Sequence, residues 1–229
     1  MAGKRARVVV CGGEKGGTGK TMLAVHAAVW LMARGKRVLL LDEDPQQSAA
    51  RWALGRDAIG ITPQVPCAVS GSVAESAGAA IMECAPHYDV LIVDVGGADS
   101  SDFHQALALC DVLLCPTTAG DSDLATLEMA NLHVGYERRK GHRLKAHVVF
   151  NLCSNDGGAE VRDGLREIAG LTELSPAQRT IRFRKGFRLA YLRRLTMAEA
   201  AEGKPRVDSQ RRYADGAAEV DALFSEVLS

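Results

Sequence analysis

The feature that most constrains this chain is a glycine-rich turn between a short apolar run and a segment of helical pattern. Residues 15–21 read Lys-Gly-Gly-Thr-Gly-Lys-Thr, separated by two residues from the apolar run that ends at Gly12. A strand, a glycine-rich turn and a helix in this order can surround a polyphosphate, because backbone N–H groups and the positive end of the helix dipole converge on it. The turn therefore predicts a phosphate-binding loop made of Gly16, Gly17, Thr18, Gly19 and Lys20.

Two side chains of this loop are expected to act on the nucleotide directly. Lys20 would contact the β- and γ-phosphates, and the Thr21 hydroxyl would hold Mg²⁺. The usual P-loop pattern nevertheless fails at Glu14, where it requires a glycine, and a second lysine, Lys15, follows that position.

This variant resembles the deviant Walker A motif of the ParA/MinD family of ATPases, which residues 15–21 match at every fixed position. The resemblance implies a P-loop NTPase fold, with ATP and Mg²⁺ as cofactors. It also implies a homodimer that forms with ATP, in which Lys15 acts catalytically by reaching the phosphates bound to the partner subunit.

Two further runs match the carboxylate motifs of the same family. Asp42, Asp44, Pro45 and Gln46 match its Asp-x-Asp-Pro-Gln motif after three leucines, and Asp94 closes the apolar run Asp89-Val-Leu-Ile-Val as in Walker B. The resemblance implies that Asp42 and Asp94 hold the Mg²⁺ ion through its water shell. It assigns Asp44 to the attacking water, which this residue would position or deprotonate.

Other correspondences are looser. Residues 95–98, Val-Gly-Gly-Ala, depart from the Asp-x-Pro-Pro sequence often found in the family, although their glycines permit close approach to the γ-phosphate. Residues 112–124 resemble a family segment without its second proline. Asn151 follows an apolar run where the family has an asparagine near the base, so it is either a nucleotide-edge contact or a plain strand cap.

Short apolar runs alternate with longer helical patterns along most of the chain, which is typical of a parallel sheet covered by helices on both faces. Residues 1–229 are therefore expected to form a single doubly wound α/β domain. Strands are predicted over Arg7 to Gly12, Arg37 to Asp42, Asp89 to Asp94, Asp111 to Pro116, Lys145 to Asn151 and Gln178 to Phe183. Helices are predicted over Lys20 to Ala33, Ser70 to Ala85, Asp102 to Leu109, Ser122 to Arg139, Glu160 to Ala169, Lys185 to Arg194 and Ser209 to Leu228.

Charge is balanced over the whole chain but not along it. Lys and Arg together number 28, as do Asp and Glu, so any attraction to nucleic acid must come from local clustering. From Leu174 to Ala198 there is no acidic residue. We expect this segment to bind duplex phosphates without reading sequence, while a solvated basic face is the alternative. The candidate DNA-binding residues are Arg182, Arg184, Lys185, Arg188, Arg193 and Arg194, and Lys204, Arg206, Arg211 and Arg212 extend the charge.

These expectations favour a cytoplasmic, nucleoid-associated ATPase that partitions DNA, or that positions a protein cargo, with a small centromere-binding or adaptor protein that stimulates hydrolysis. No run has the length of a membrane span, and the last predicted helix is acidic, which argues against a membrane-cycling protein of the MinD kind. Enzymes on the same scaffold, namely iron-sulfur reductases and ATP-dependent small-molecule synthases, are a third class. An iron-sulfur reductase would need interface thiolates, but no cysteine follows Asp94 in its loop.

Overall fold

A computed structural model describes residues 5–13, 15–69, 71–97, 100–119, 126–155, 158–203 and 207–229, the side chains of 207–212 excepted. In these residues seven parallel strands form one sheet in the order β3-β2-β4-β1-β5-β6-β7. The strands are β1 (Arg7–Cys11), β2 (Val38–Glu43), β3 (Cys67–Val69), β4 (Val90–Val95), β5 (Val112–Thr117), β6 (Lys145–Phe150) and β7 (Ser175–Pro176).

Helices cover both faces of this sheet, as the doubly wound prediction requires. They are α1 (Lys20–Met32), α2 (Ser48–Ala58), α3 (Ala77–Cys84), α4 (Ser101–Leu109), α5 (Leu127–Arg139), α6 (Ala159–Glu167), α7 (Lys185–Leu192), α8 (Met197–Glu202) and α9 (Val207–Val227). Within the described chain, no helix combines the length and the apolar character that a membrane crossing demands.

Alternate side chains of the central strands enter two separate cores. Val9 packs on one face of the sheet with α1 and the C-terminal helices, for example Leu23 and Phe224. Val10, the next residue, packs on the other face with Phe103 of α4 and Val134 of α5. Burial on both faces explains why the central strands have runs of three or four consecutive apolar residues, which made them recognisable in the sequence.

The prediction of a last strand over Gln178 to Phe183 is wrong. Strand β7 lies earlier, at Ser175–Pro176, and residues 178–183 form only one isolated bridge, between Arg182 and Cys153. The backbone N–H groups of Gln178 and Arg182 instead donate to the carboxylates of Glu226 and Glu219 on α9. Side chains of α9 thus accept two N–H groups of this segment, while the Ile181 N–H donates to the Phe150 carbonyl and the Phe183 N–H donates to the Cys153 carbonyl.

Three elements were not predicted, namely β3, α2 and α8. Strand β3 has three half-buried residues at the sheet edge, and α8 is six residues long, so neither has a pattern long enough to recognise. Helix α3 begins at Ala77, capped by the Ser76 hydroxyl, rather than at Ser70, which lies outside the described residues. The start of the predicted Ser122 helix also lies outside them, and α5 begins at Leu127.

Candidate functional site: a phosphate loop with buried carboxylates

Strand register brings the predicted loop and carboxylates to one edge of the sheet. Strand β4 lies between β1 and β2, and Asp94 is paired in register with Cys11 on one side and Asp42 on the other. The phosphate loop follows β1 at this same edge. Because the strands are parallel, their carboxyl ends form one surface, which is where open α/β sheets bind ligands.

The loop from Lys15 to Gly19 has a backbone that only glycine adopts easily at two positions. Gly17 and Gly19 have φ angles of 84° and 98°, in the left-handed region. Gly19 is also the N-cap of α1, and a Cβ atom there would lie 2.2 Å from the Asn151 side-chain nitrogen. A side chain at Gly19 is therefore excluded both by backbone conformation and by space.

Lys20 holds its charge inside this loop. Its side chain is buried, and Nζ donates a hydrogen bond to the Lys15 carbonyl at 2.8 Å. Burial lowers the pKa of Lys20, while the charges of Asp94 and Asp44 act in the opposite direction. A cation that is enclosed among backbone amides beside carboxylates can pair with a polyphosphate that carries its own metal ion.

Asp94, like Asp42, is a fully buried acid at this edge. Neither side-chain oxygen makes a hydrogen bond with a described residue, and the residue has no exposed surface. Burial raises the pKa of Asp94 to about 7, and Asp42 and Asp44 add to the increase, whereas the nearby Thr21 hydroxyl and Lys20 oppose it. Oxygen donors of this kind are what Mg²⁺ prefers, so Asp94 and Thr21 fit the predicted metal.

Asp42 and Asp44 have different surroundings. Both oxygens of buried Asp42 accept backbone N–H groups, from Asp44 at 3.2 Å and from Ala50 in α2 at 2.8 Å. Asp42 therefore also fixes the loop that carries Asp44, in addition to its predicted metal role. The half-buried Asp44 accepts the Gln46 N–H at 2.7 Å and lies against Gly96, where a Cβ atom would be 3.4 Å from its carboxylate.

Asn151 lies beneath the phosphate loop, and its predicted contact with the nucleotide stays a prediction. Its side-chain nitrogen donates to the Thr18 carbonyl at 2.6 Å, and its backbone N–H donates to the Thr117 carbonyl at 2.8 Å. The side chain is fully buried, and its oxygen has no hydrogen-bond partner among the described residues. This geometry gives Asn151 a loop-supporting contact that no sequence pattern indicated.

Phe103 is a further residue of the site that the sequence patterns did not indicate. A Cβ atom at Gly12 would lie 2.6 Å from the Phe103 ring, so this ring on α4 packs where β1 leaves the sheet toward the loop. No sequence signal joins the two residues, because the contact depends on how α4 packs on the sheet. Glu14, which breaks the ordinary motif, lies outside the described residues.

Besides Arg182, three of the predicted DNA-binding cations have exposed side chains. These are Lys185 and Arg188 on α7 and Arg193 just after it. None of the three forms an ion pair with a residue that the structure describes. Lys185 and Arg188 are three residues apart in a helix, so they share a face.

The other predicted DNA-binding cations are held by neighbouring elements. The Arg184 guanidinium donates to Glu219 at 2.7 Å and to Asp215 at 3.2 Å, and only 20% of its side chain is exposed. Arg182 pairs with the same Glu219 at 3.5 Å. The Arg194 guanidinium packs against Gly55 of α2. Helices α9 and α2 therefore engage Arg182, Arg184 and Arg194, and the role of these three residues in DNA binding stays a prediction.

The cations that were expected to extend this surface fall in a part of the chain that the structure does not describe. Lys204 and Arg206 lie outside the described residues, as do the side chains of Arg211 and Arg212.

Curated relatives of known role share part of this chain. Maintenance of carboxysome distribution protein A of Gloeobacter kilaueensis is 37% identical over 125 residues, which are 53% of this chain and 53% of that protein. Protein ParA of Rhizobium radiobacter is 32% identical over 149 residues, 64% of this chain and 65% of that protein. The chain thus spans between about half and two thirds of the length of these curated relatives.

Solved structures share the fold over nearly the whole chain. A plasmid partition protein of Borrelia burgdorferi B31 bound to AMPPNP has a TM-score of 0.65 and 15% identity, covering 95% of this chain and 99% of that one. The septum site-determining protein MinD of Pyrococcus horikoshii OT3 with Mg-ADP has a TM-score of 0.64 and 19% identity, covering 95% and 97%. The nucleotides in both neighbours, one with magnesium, agree with the predicted cofactors, ATP and Mg²⁺.

The family model for the CobQ/CobB/MinD/ParA nucleotide-binding domain matches residues 8–196, which include the phosphate loop, all three carboxylates and α7. This range confirms the resemblance read from residues 15–21. The chain belongs to the CobQ/CobB/MinD/ParA family of nucleotide-binding domains, and within it to the ParA/MinD type of ATPase.

Proposed function

We propose that this protein is a Mg²⁺-dependent ATPase that dimerises around ATP, binds duplex DNA without sequence preference, and is released when a partner protein stimulates hydrolysis. The observation that carries the proposal is the combination of the two-lysine phosphate loop with the exposed cations Lys185, Arg188 and Arg193 in a chain of zero net charge. Its work would be to partition or position a cargo on the nucleoid.

For hydrolysis, each residue of the site has a distinct task. Lys20 would neutralise charge on the β- and γ-phosphates, and Thr21 with Asp94 would hold the metal, aided by Asp42. When bound, Mg²⁺ would supply charge neutralisation at the phosphates. Asp44, half-buried at the loop surface, would orient the attacking water.

Lys15 would complete the site of the partner subunit, which makes dimerisation part of the reaction. Substituting Lys15 with Gln should leave ATP binding within a subunit nearly intact, because Lys20 remains. We expect it to abolish the ATP-dependent dimer or its turnover, as checked by sedimentation velocity and phosphate release. A Lys15→Gln protein with normal dimer and normal turnover would exclude the cross-subunit role.

For DNA, phosphate contacts provide affinity without sequence reading, and their number sets the salt dependence. The direct test measures retention on random duplex DNA with ATP, with ADP and without nucleotide, over a salt series. Retention should require ATP and fall steeply with salt. Replacing Lys185, Arg188 and Arg193 with Ala should flatten the slope of log affinity against log salt by about 0.9 for each phosphate that the variant no longer neutralises.

A matched control removes three exposed cations from elsewhere in the chain, Lys36, Arg143 and Lys145. This control changes net charge equally, so it should alter retention much less. Equal reductions in both triple variants would mean that overall charge, and not α7, attracts DNA. Retention that is absent or insensitive to salt in the unmodified protein would overturn the proposal.

A protein assembly is a second candidate cargo, favoured by the 37% identity to the carboxysome distribution protein. The two cargoes differ in the partner that stimulates hydrolysis. An Asp44→Ala protein with ATP should persist in the DNA-bound state and so retain its partner. Recovery of a sequence-specific DNA-binding protein would favour partition, whereas recovery of a component of a protein assembly would favour positioning.

A further inference from the structure

Tyr191 connects the last turn of α7 to the first residue of α2. Its hydroxyl donates a hydrogen bond to the Ser48 carbonyl at 2.8 Å, across 143 residues of sequence. Burial raises the pKa of Tyr191, and the nearby charges of Asp94 and Asp42 raise it further against those of Arg194 and Arg51. The hydroxyl therefore remains protonated and able to donate near neutral pH.

The same turn of α2 is attached to Asp42 and Asp44, which lie with Asp94 and the phosphate loop at the carboxyl ends of the strands. We call this surface the nucleotide edge. The Ala50 N–H donates to Asp42 at 2.8 Å, and the Gln47 N–H donates to the Asp44 carbonyl at 2.8 Å. A displacement of the Asp42 to Asp44 loop therefore moves the turn that carries the acceptor of Tyr191. These two hydrogen bonds lie on either side of Ser48 and join the first turn of α2 to the Asp42 to Asp44 loop.

The far end of α2 is attached to the segment that follows α7. Arg56 is fully buried, and it donates to the Arg194 carbonyl at 2.9 Å and pairs with the Glu199 carboxylate through both terminal nitrogens. The Arg194 side chain packs so closely on Gly55 that a Cβ atom there would lie 2.5 Å from its Nε. Helix α2 is thus fixed to the α7 region at both of its ends.

Helix α7 carries two of the exposed cations of the proposed DNA surface, Lys185 and Arg188. We infer that Tyr191 is a positioning residue that couples the Asp42 to Asp44 loop to α7 within one subunit, so that bound nucleotide alters how α7 presents these cations. The part of this inference that concerns DNA binding rests on the proposed function. It adds to dimerisation, which by itself would only double the number of surfaces.

Coupling of this kind is reciprocal and can be measured from either side. If ATP strengthens DNA binding through α2, DNA must strengthen ATP binding by the same factor. Removal of one neutral hydrogen bond should reduce that factor by about two- to tenfold. A residue that merely stabilised the fold would instead weaken both bindings without changing their dependence on each other.

The experiment compares Tyr191→Phe, which removes only the hydroxyl, with Tyr136→Phe, the same change at an exposed position on α5. One measurement is ATP affinity with and without random duplex DNA. The other is hydrogen–deuterium exchange of the α7 amides with and without ATP and Mg²⁺, which requires no DNA. Thermal unfolding confirms that both variants are folded.

We expect ATP affinity without DNA to be unchanged in Tyr191→Phe, its enhancement by DNA to fall by about two- to tenfold, and the exchange response of α7 to ATP to diminish. The Tyr136→Phe protein should match the unmodified protein in both measurements. An α7 response that is absent in the unmodified protein, or equal in it and in Tyr191→Phe, would overturn the inference. If neither the unmodified protein nor the two variants bind DNA, the proposed function fails. The exchange response of α7 then decides by itself whether Tyr191 couples α7 to the nucleotide.

Discussion

The nucleotide edge and the segment around α7 are both rich in charge, but the charged side chains of the two regions differ in burial and in pairing. At the nucleotide edge, Asp94 is completely buried and its oxygens have no hydrogen-bond partner among the described residues. Around α7, Arg184 and Arg182 share the Glu219 carboxylate from α9. A run of charges in a sequence therefore gives their number, while tertiary neighbours decide how many can bind a ligand.

The first prediction concerns the dependence of ATP affinity on the buried cation Lys20. Lys20→Ala removes an enclosed cation beside Asp94 and Asp44, and truncation of one buried charged partner typically costs several kcal/mol. ATP affinity should fall by roughly 1000-fold, as measured by calorimetry. Lys36→Ala, at an exposed position before β2, is the control, and comparable reductions in both would deny Lys20 its role.

A second prediction concerns His26, which links the phosphate-loop helix to the C-terminal segment. The ring accepts the Met197 N–H at 3.1 Å through Nε2, and its Nδ1 lies 2.8 Å from the Met22 carbonyl, to which it donates. Burial lowers the pKa of His26 to about 4, from 6.5 in the unfolded chain. The unfolded state therefore binds the proton more tightly, and stability falls as pH decreases from about 6.5 to 4.

This difference corresponds to about 3 kcal/mol of unfolding free energy at the acidic end of that range. Urea unfolding between pH 7 and pH 4 measures it. His26→Gln should flatten the pH dependence by about that amount, whereas His87→Gln, at an exposed position, should leave it unchanged. Parallel curves for the unmodified protein and His26→Gln would contradict the assignment.

A third prediction distinguishes loop support from base contact at Asn151. Asn151→Ala removes the hydrogen bond to the Thr18 carbonyl, so the affinity for ATP should fall by about tenfold. If the residue supports the loop, inorganic triphosphate should bind more weakly by the same factor, because it uses the same amides. If the affinity for ATP falls and that for inorganic triphosphate does not, Asn151 contacts the base and does not support the loop.

The contrast between the two regions also explains how far sequence reasoning reached. The phosphate loop and its carboxylates were predictable because β1, β2 and β4 are parallel and adjacent, so motifs at strand ends necessarily meet. The basic segment was not, since Glu219 is 35 residues from Arg184 and no local pattern indicates that they pair. Helix α2 escaped prediction for a similar reason, as it buries Arg56 against a distant glutamate, contrary to the usual exposure of charged residues.

The last prediction concerns the ion pairs by which α9 restrains the basic segment, residues 174–198. Glu219→Gln removes the charge that holds Arg184 and Arg182 while keeping an amide of similar size. DNA retention with ATP should increase by about two- to fivefold, and its salt slope should steepen by about 0.9 for each guanidinium that reaches a phosphate.

Glu226→Gln provides the matched control for this change. It removes the same charge from the same helix. Among the described residues, however, Glu226 accepts the backbone N–H groups of Gln178 and Arg179 and pairs with no guanidinium that the substitution could release. Its salt slope should therefore equal that of the unmodified protein. If both variants steepen the slope equally, net charge alone sets DNA affinity, and the ion pairs of Glu219 do not restrain the segment. A steeper slope in Glu219→Gln alone means that α9 limits how many cations the segment offers to DNA.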